Sequence, residues 1–208
     1  MKRPLLLALS LLPVTVSGAA PSKAPAKTTP PIKVKTPVEA RVDALWEQSD
    51  AAFHKGDYPA AIALHRQIVK LAPDDVESYS VGSWLLWSLG QDADVSTSDA
   101  ARFRGEARAF IGQGLRANPQ NAEMWDAAGE LYNLDHSFAD AKFAFAKAVQ
   151  IGGPKAPEML RRSLAHAAEN AGDWNLATRT WTDLVRDFPG NPVNKNNLAR
   201  VQAQRNKA

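Results

Sequence analysis

The side chains in this sequence that are best suited to catalysis or metal binding are four histidines: His54, His65, His136 and His166. An imidazole can act as a general base or as a metal ligand, but a metal site needs further ligands at matched spacing. None of the four has a second histidine or a carboxylate at such spacing with a matching partner elsewhere in the chain. The pattern therefore predicts no metal centre and no catalytic histidine.

A polar segment, residues 91–103, begins like a calcium-binding loop. The first three ligand positions of an EF-hand are matched by Asp92, Asp94 and Ser96. Thr97 then replaces the glycine that the loop requires, and Phe103 replaces its bidentate glutamate. We therefore reject a calcium site and interpret the segment as a polar turn in which Ser98 or Asp99 caps a long helix.

Motifs for nucleophilic catalysis, nucleotide phosphates and dinucleotides are missing from the sequence. There is no G-x-S-x-G, no P-loop and no G-x-G-x-x-G. The lone G-x-G at residues 112–114 falls inside a predicted helix and lacks both the third glycine and a preceding strand. The sequence therefore predicts a protein that is not an enzyme and has no cofactor, with an enzyme acting on glycan or peptide as a distant alternative.

The basic character of the chain is confined to its N-terminal part. Six of the 25 basic residues and none of the 22 acidic residues precede residue 38, so the remainder carries a net charge of −3. A nucleic-acid surface needs clustered Lys and Arg on a folded face, and no such cluster is visible. The chain has no cysteine, which excludes disulfides and thiolate metal sites.

Residues 1–20 have the layout of a secretory signal peptide. Lys2 and Arg3 precede a mostly apolar stretch of 12 residues, which small residues follow. That stretch is too short to span a bilayer, which needs about 20 residues. We predict cleavage after Ala19 or Ala20, export to the periplasm or the medium, and no stable membrane insertion after cleavage; an uncleaved anchor is the alternative.

The composition of residues 21–37 predicts a disordered linker. The segment has five prolines and four lysines, so it contains almost no apolar side chains that could be buried in a core. We interpret this linker as a solvated spacer. The alternative is a basic arm that contacts anionic lipid or polymer and holds the protein loosely at the envelope.

A repeat of about 34 residues organises the rest of the chain, and it is clearest at residues 122–155. Trp125, Gly129 and Tyr132 have the spacing W-x3-G-x2-Y, and a second helical stripe follows with Phe138, Ala141, Phe145 and Ala148. This pattern resembles the tetratricopeptide repeat (TPR), a helix pair that buries its apolar faces only by stacking on neighbouring pairs. His136 stands where a turn glycine is usual and His65 where an aromatic residue is usual, which favours structural roles for both.

Three further copies fit the same pattern, at residues 42–75, 76–121 and 158–191. Pro73 and Pro119 lie 46 residues apart, so the second copy carries an insertion of about twelve residues, at about 91–102. Residues 192–206 predict a capping helix with Leu198 and Val201 on its apolar side. Together these features predict an all-α fold over residues 38–206: a right-handed α-solenoid of about four TPR helix pairs with a C-terminal capping helix.

The resemblance also implies a binding groove, because in TPR proteins the first helix of each pair lines the concave face. By that analogy, the predicted partner-binding residues are Trp46, Asp50, Phe53, Trp84, Trp87, Glu123, Asp126, Glu130, Arg162 and His166. They include an aromatic group and an acidic stripe, which favour a basic or apolar segment of a protein partner. Core packing of the tryptophans and a solvated acidic face are the alternatives.

We therefore predict a scaffold that binds a peptide segment of an envelope or secreted protein. Trp46 and Asp50 stand where TPR domains that hold a C-terminal carboxylate use Lys, Arg or Asn, which argues against a carboxylate clamp. The alternative function is a structural one, in which the solenoid self-associates or spaces other components and the basic linker fills the acidic groove.

Overall fold

The computed structural model describes residues 35–205, and within that range all regular secondary structure is helical. Nine α-helices lie in the described residues: α1 Pro37–His54, α2 Tyr58–Leu71, α3 Val76–Leu89, α4 Thr97–Ala117, α5 Ala122–Leu134, α6 Phe138–Gly152, α7 Glu158–Asn170, α8 Trp174–Asp187 and α9 Pro192–Arg205. A short 3-10 helix, Gly153–Lys155, follows α6. Each helix packs mainly on its neighbours in sequence, and α5 also packs on α3. This confirms the predicted all-α solenoid of helix pairs.

The turn inside three of the pairs contains one residue in the left-handed region. Gly56 has φ 75°, Gly172 has φ 74° and His136 has φ 56°. Glycine adopts this conformation without a Cβ clash, and His136 adopts it in the third pair at some cost. The next helix is then capped in two of the pairs, where Asp57 and Asp173 each accept a bond from a backbone N–H of the first turn.

Small residues set the distance between the two helices of a pair. A Cβ added to Gly129 on α5 would lie 2.6 Å from the ring of Phe145 on α6, and Phe145 itself is buried. Ala141, also on α6, is fully buried. These positions let the aromatic ring pack directly on the backbone of the facing helix.

The insertion of the second pair lengthens a helix more than it lengthens a loop. Helix α4 has 21 residues, whereas α2 has 14 and α6 has 15. The N-cap of α4 is Ser96, whose hydroxyl accepts a bond from the N–H of Asp99 at 3.1 Å. The prediction of Ser98 or Asp99 as the N-cap is therefore wrong, because the helix already begins at Thr97 and Ser96 is the residue that caps it.

A helix lies near each end of the described range. Thr36 and Glu39 form a reciprocal capping box at the start of α1, with Pro37 in its first position. The predicted signal peptide lies outside the described residues, and so does the predicted linker except for residues 35–37. At the other end, Val201 of α9 is fully buried against the last pair.

Candidate functional site

Two adjoining clefts lie on the face formed by the first helices of the pairs. A cleft of about 190 Å³ runs between α3 and α5, and we call it the apolar cleft; it is lined by Ser80, Val81, Trp84, Ala127, Glu130, Leu131 and Leu134. A cleft of about 290 Å³ runs between α5 and α7, and we call it the acidic cleft; it is lined by Ala122, Glu123, Asp126, Glu130, Pro157, Met159, Leu160 and Ser163. Glu130 belongs to both, so the two clefts form one continuous surface, called the groove below.

The apolar cleft exposes large hydrophobic side chains. Trp84 on α3 is 41% exposed and Leu134 on α5 is 39% exposed. The ring of Phe53, on α1, lies with its centroid 6.4 Å from that of Trp84 and extends the apolar surface toward the first pair. Phe53 is in turn supported by stacking on Tyr58 at 5.6 Å. This surface offers apolar contact area and aromatic rings to a ligand.

The acidic cleft carries three carboxylates on one face of α5, at Glu123, Asp126 and Glu130. Burial raises the pKa of Asp126 to about 6, and the neighbouring charges of Glu130 and Glu123 add to the rise. The hydroxyl of Ser163 donates to Glu130 at 3.3 Å. Asp126 and Glu123 form no ion pair within the part of the chain that the structure describes. The cleft therefore has negative charge that the described residues leave unneutralised.

The remaining predicted aromatics have other positions. Trp46 is half-buried: its indole N–H donates to Asp75 at 3.1 Å, and its ring packs edge-on against His65 at 4.8 Å. It therefore joins α1 to α2 and to the start of α3, and it lines neither cleft. Trp87 packs partly against the core and borders a third cleft, where α3 and α5 end.

The remaining predicted polar residues also lie outside the groove. Asp50 is exposed and faces His54 on its own helix, at 3.4 Å. His166 packs edge-on against Trp181 at 5.0 Å, and burial lowers its pKa. The Nε of Arg162 is buried and has no hydrogen-bond partner among the described residues. Thus the structure brings together Trp84, Glu123, Asp126 and Glu130, with Phe53 beside them, and leaves the other five predicted residues elsewhere.

Two prominent groove residues, Leu134 and Met159, were not among those predicted from the sequence. Leu134 follows Glu130 by four residues, so the same helical spacing that linked the acidic residues also pointed to it. Met159 is 66% exposed at the start of α7. The sequence feature that could have identified Met159 is an apolar residue in the first turn of the first helix of a pair, four residues before Ser163.

A buried histidine joins the first three helices. His65 is 1% exposed; its Nε2 lies 2.9 Å from the hydroxyl of Ser49 on α1, and its Nδ1 lies 3.4 Å from that of Ser78 on α3. Burial lowers the pKa of His65 to about 4, against a weaker opposing effect of Asp75. The imidazole is therefore neutral at pH 7 and holds three helices together through hydrogen bonds.

Neither a cluster of metal-binding side chains nor a membrane-spanning helix occurs among residues 35–205. No group of three or more His, Cys, Asp or Glu side chains there is arranged to hold a metal ion. In the same range, none of the helices combines the length and the hydropathy needed to cross a membrane.

Stacked helix pairs with a groove on their first helices define the class of the protein: an α-solenoid with the TPR fold. The chain is similar to a thermophilic TPR protein of Thermus thermophilus, TTC0263, with TM-score 0.57 and 17% identity over 78% of this chain and 81% of that one. It is similar to MamA, with TM-score 0.58 and 14% identity over 79% and 82% of the two chains. The pilF protein of Pseudomonas aeruginosa gives TM-score 0.57 and 12% identity over 83% and 72%. No protein-family model matches the chain, and no curated protein matches it.

Proposed function

We propose that this protein is a non-enzymatic interaction scaffold whose groove binds a peptide segment of another protein, one that carries basic and apolar side chains. The observation that carries the proposal is the direct contact between an exposed apolar cleft and an unneutralised acidic cleft, joined at Glu130. Solenoids of helical repeats use extended surfaces of this kind for binding, which supports the assignment.

The acidic cleft favours a cationic group for an electrostatic reason. Asp126 is half-buried beside two other carboxylates, so its ionised form is unfavourable in the free protein. A lysine or arginine placed among these side chains offsets that cost and forms charge-assisted hydrogen bonds. Because Asp126 takes up a proton as the pH falls through about 6, binding of the cation weakens below that pH.

The apolar cleft supplies the contact area. Trp84 and Leu134 each leave roughly two fifths of their surface in water in the free protein. A leucine or aromatic side chain that fills the cleft removes this surface, and its own, from water. Tryptophan at the centre of a desolvated contact is a frequent binding hot spot.

The test uses capped synthetic peptides rich in lysine and leucine, titrated calorimetrically against the folded protein. Trp84→Ala and Glu123→Gln each weaken binding by about tenfold. Phe143→Ala and Glu47→Gln, exposed residues of the same types outside the groove, leave the affinity unchanged. Equal affinity for lysine-rich and glutamate-rich peptides, or equal losses in the control variants, overturns the proposal.

We also propose that the chain is exported, on the strength of its first 20 residues. Expression with a C-terminal tag, cell fractionation and mass spectrometry of the N-terminus test this directly. A tagged protein outside the cytoplasm that begins at or just after residue 20 supports export with cleavage. A cytoplasmic protein that retains Lys2 and Arg3 contradicts it.

A further inference from the structure

A third cleft, of about 450 Å³, continues the groove beyond the apolar cleft. It lies where α3 and α5 end and beside α4, and its lining includes Trp87, Gln91, Arg104, Asn133, Leu134 and His136. Leu134 lines the apolar cleft as well. The three clefts therefore form one path that crosses α5 diagonally, from the carboxylates near its N-terminus to the third cleft at its C-terminus.

Two side chains of the third cleft, Trp87 and Arg104, carry hydrogen-bond donors without partners among the described residues. The indole Nε1 of Trp87 is buried and has no hydrogen-bond partner among the described residues. Arg104 forms no ion pair in that part of the chain, and the amides of Gln91 and Asn133 each add an N–H donor group beside a carbonyl acceptor. We call this the donor cleft.

Among the described residues that line the donor cleft, Asp135 carries the carboxylate, and this carboxylate already has partners within the protein. It accepts from Arg108 at 3.3 Å and from the hydroxyl of Ser137 at 3.2 Å. Its charge is therefore offset by a cation of the protein itself. Arg104 keeps its charge unpaired among the described residues, and Trp87, whose buried indole N–H is unsatisfied, lines the same cleft, a combination that complements an anion.

Arg104 is a departure from the pattern of the other pairs. In the first, third and fourth pairs, an aromatic residue stands three positions before a fully buried alanine of the second helix: Tyr58, Phe138 and Trp174. In the second pair the corresponding buried alanine is Ala107, and the residue three positions before it is Arg104. The insertion places this arginine inside a longer helix, where it faces the cleft instead of starting the helix.

We propose that the donor cleft binds a carboxylate side chain of the same peptide whose basic group occupies the acidic cleft. This rests on the proposed function and adds a second charged subsite of opposite sign. Asp126 and Leu134 are eight residues apart on α5, or about 12 Å. Four residues of extended peptide cover about 13 Å, so the ligand carries its acidic residue about four positions from its basic one.

The experiment compares two capped peptides, one with the core Lys-Leu-Ser-Leu-Glu and one with Gln in place of the Glu. Calorimetry on the wild-type protein should show that the Glu peptide binds about tenfold more tightly than the Gln peptide. Arg104→Gln abolishes this preference, and Arg104→Glu reverses it. Arg116→Gln and Arg116→Glu, on the same helix but outside the three clefts, keep it.

The outcomes separate this proposal from the one on which it rests. If wild type binds both peptides with equal affinity, the groove function stands and the donor cleft is wrong. If it binds neither, both proposals are overturned. If the Arg116 variants lose the preference as the Arg104 variants do, the effect is one of net charge and the subsite is wrong. Arg104→Gln carries the test even where the charge reversal disturbs folding, since Arg104 is exposed.

Discussion

Asp126 and His65 are buried to different extents, and burial shifts their pKa values in opposite directions. The pKa of Asp126 rises to about 6 and that of His65 falls to about 4. In both cases the low-dielectric surroundings disfavour the charged form. For Asp126 the charged form is the one present at pH 7, whereas for His65 it is not. The groove carboxylate therefore carries a stability cost at neutral pH, and the buried imidazole carries none.

The first prediction concerns Asp126→Asn. Between pH 6 and 3.8 the folded protein holds a proton on Asp126 that the unfolded chain releases, so this group's contribution to stability rises as the pH falls through that range. Asparagine removes the charge, and we expect the free energy of unfolding at pH 7 to rise by about 2 kcal/mol, after allowance for partial solvent screening. Urea unfolding of both proteins at several pH values measures this difference in the free energy of unfolding. A variant with the same stability as wild type at pH 7 contradicts the assignment of a strained carboxylate.

The second prediction concerns His65→Gln. As the pH falls from 6.5 to about 4, the unfolded chain takes up a proton that the folded His65 does not, so stability is lost over that range, by about 3 kcal/mol at most. Glutamine lowers stability at every pH, because it fills the site poorly, but it removes this pH-dependent loss. His54→Gln, at an exposed position on α1, is the control substitution. Equal slopes in both variants would show that other groups cause the acid sensitivity.

At the scale of elements, the two helices of each pair have different tasks. Second helices are joined to one another by ion pairs: Arg66 to Glu106 at 2.8 Å, Arg108 to Asp140, and Lys142 to Asp173 at the cap of α8 at 3.0 Å. Each exposed pair stabilises only slightly, by up to about 1 kcal/mol. First helices instead face one another across the groove, where apolar and acidic side chains remain open. The first helices therefore form the surface that can accept a ligand.

The third prediction tests the close contact inside a pair. In Gly129→Ala the new methyl group would lie 2.6 Å from the buried Phe145 ring, so the two helices must separate. We expect a loss of about 1–3 kcal/mol in the free energy of unfolding. Gly105→Ala is the matched control, because nothing lies within 4 Å of its added Cβ on α4. There, alanine should stabilise by up to about 1 kcal/mol. Similar effects of both substitutions in urea unfolding would exclude a steric cause.

At the scale of the whole molecule, stability depends on stacking, because no helix pair buries both of its faces alone. The last pair contains the fully buried Trp181 and Leu184, and α9 covers it with Val201. Polar contacts fix α9 in place: Asn194 donates to Glu158 at 2.9 Å, and Arg200 pairs with Glu169 at 2.6 Å. The final helix therefore closes an apolar face that would otherwise meet water.

The fourth prediction is that removal of residues 192–208 uncovers this face. The exposed surface around Trp181 should lower the melting temperature by several degrees and shift tryptophan emission to longer wavelength. Light scattering should show association, since an uncapped repeat presents an apolar surface. An unchanged melting temperature would mean that the last pair is stable without α9.

The sequence by itself determined the helix pairs and part of the groove, because those signals are local. Gly56 and Gly172 mark turns that need a positive φ, and the apolar stripes recur with the period of a helix. Glu123 and Asp126 lie on one face of one helix, so their proximity follows from spacing alone.

Only the tertiary structure decided which side chains remain accessible to a ligand in the groove. Trp46 has the spacing of a groove residue, but its indole bonds to Asp75, 29 residues away, and His166 packs on Trp181 of the next helix. Arg104 lines a cleft with the end of α5, although nothing in its own helix indicates that contact. Each outcome depends on how one helix packs against another, and a pattern along a single helix does not contain that information.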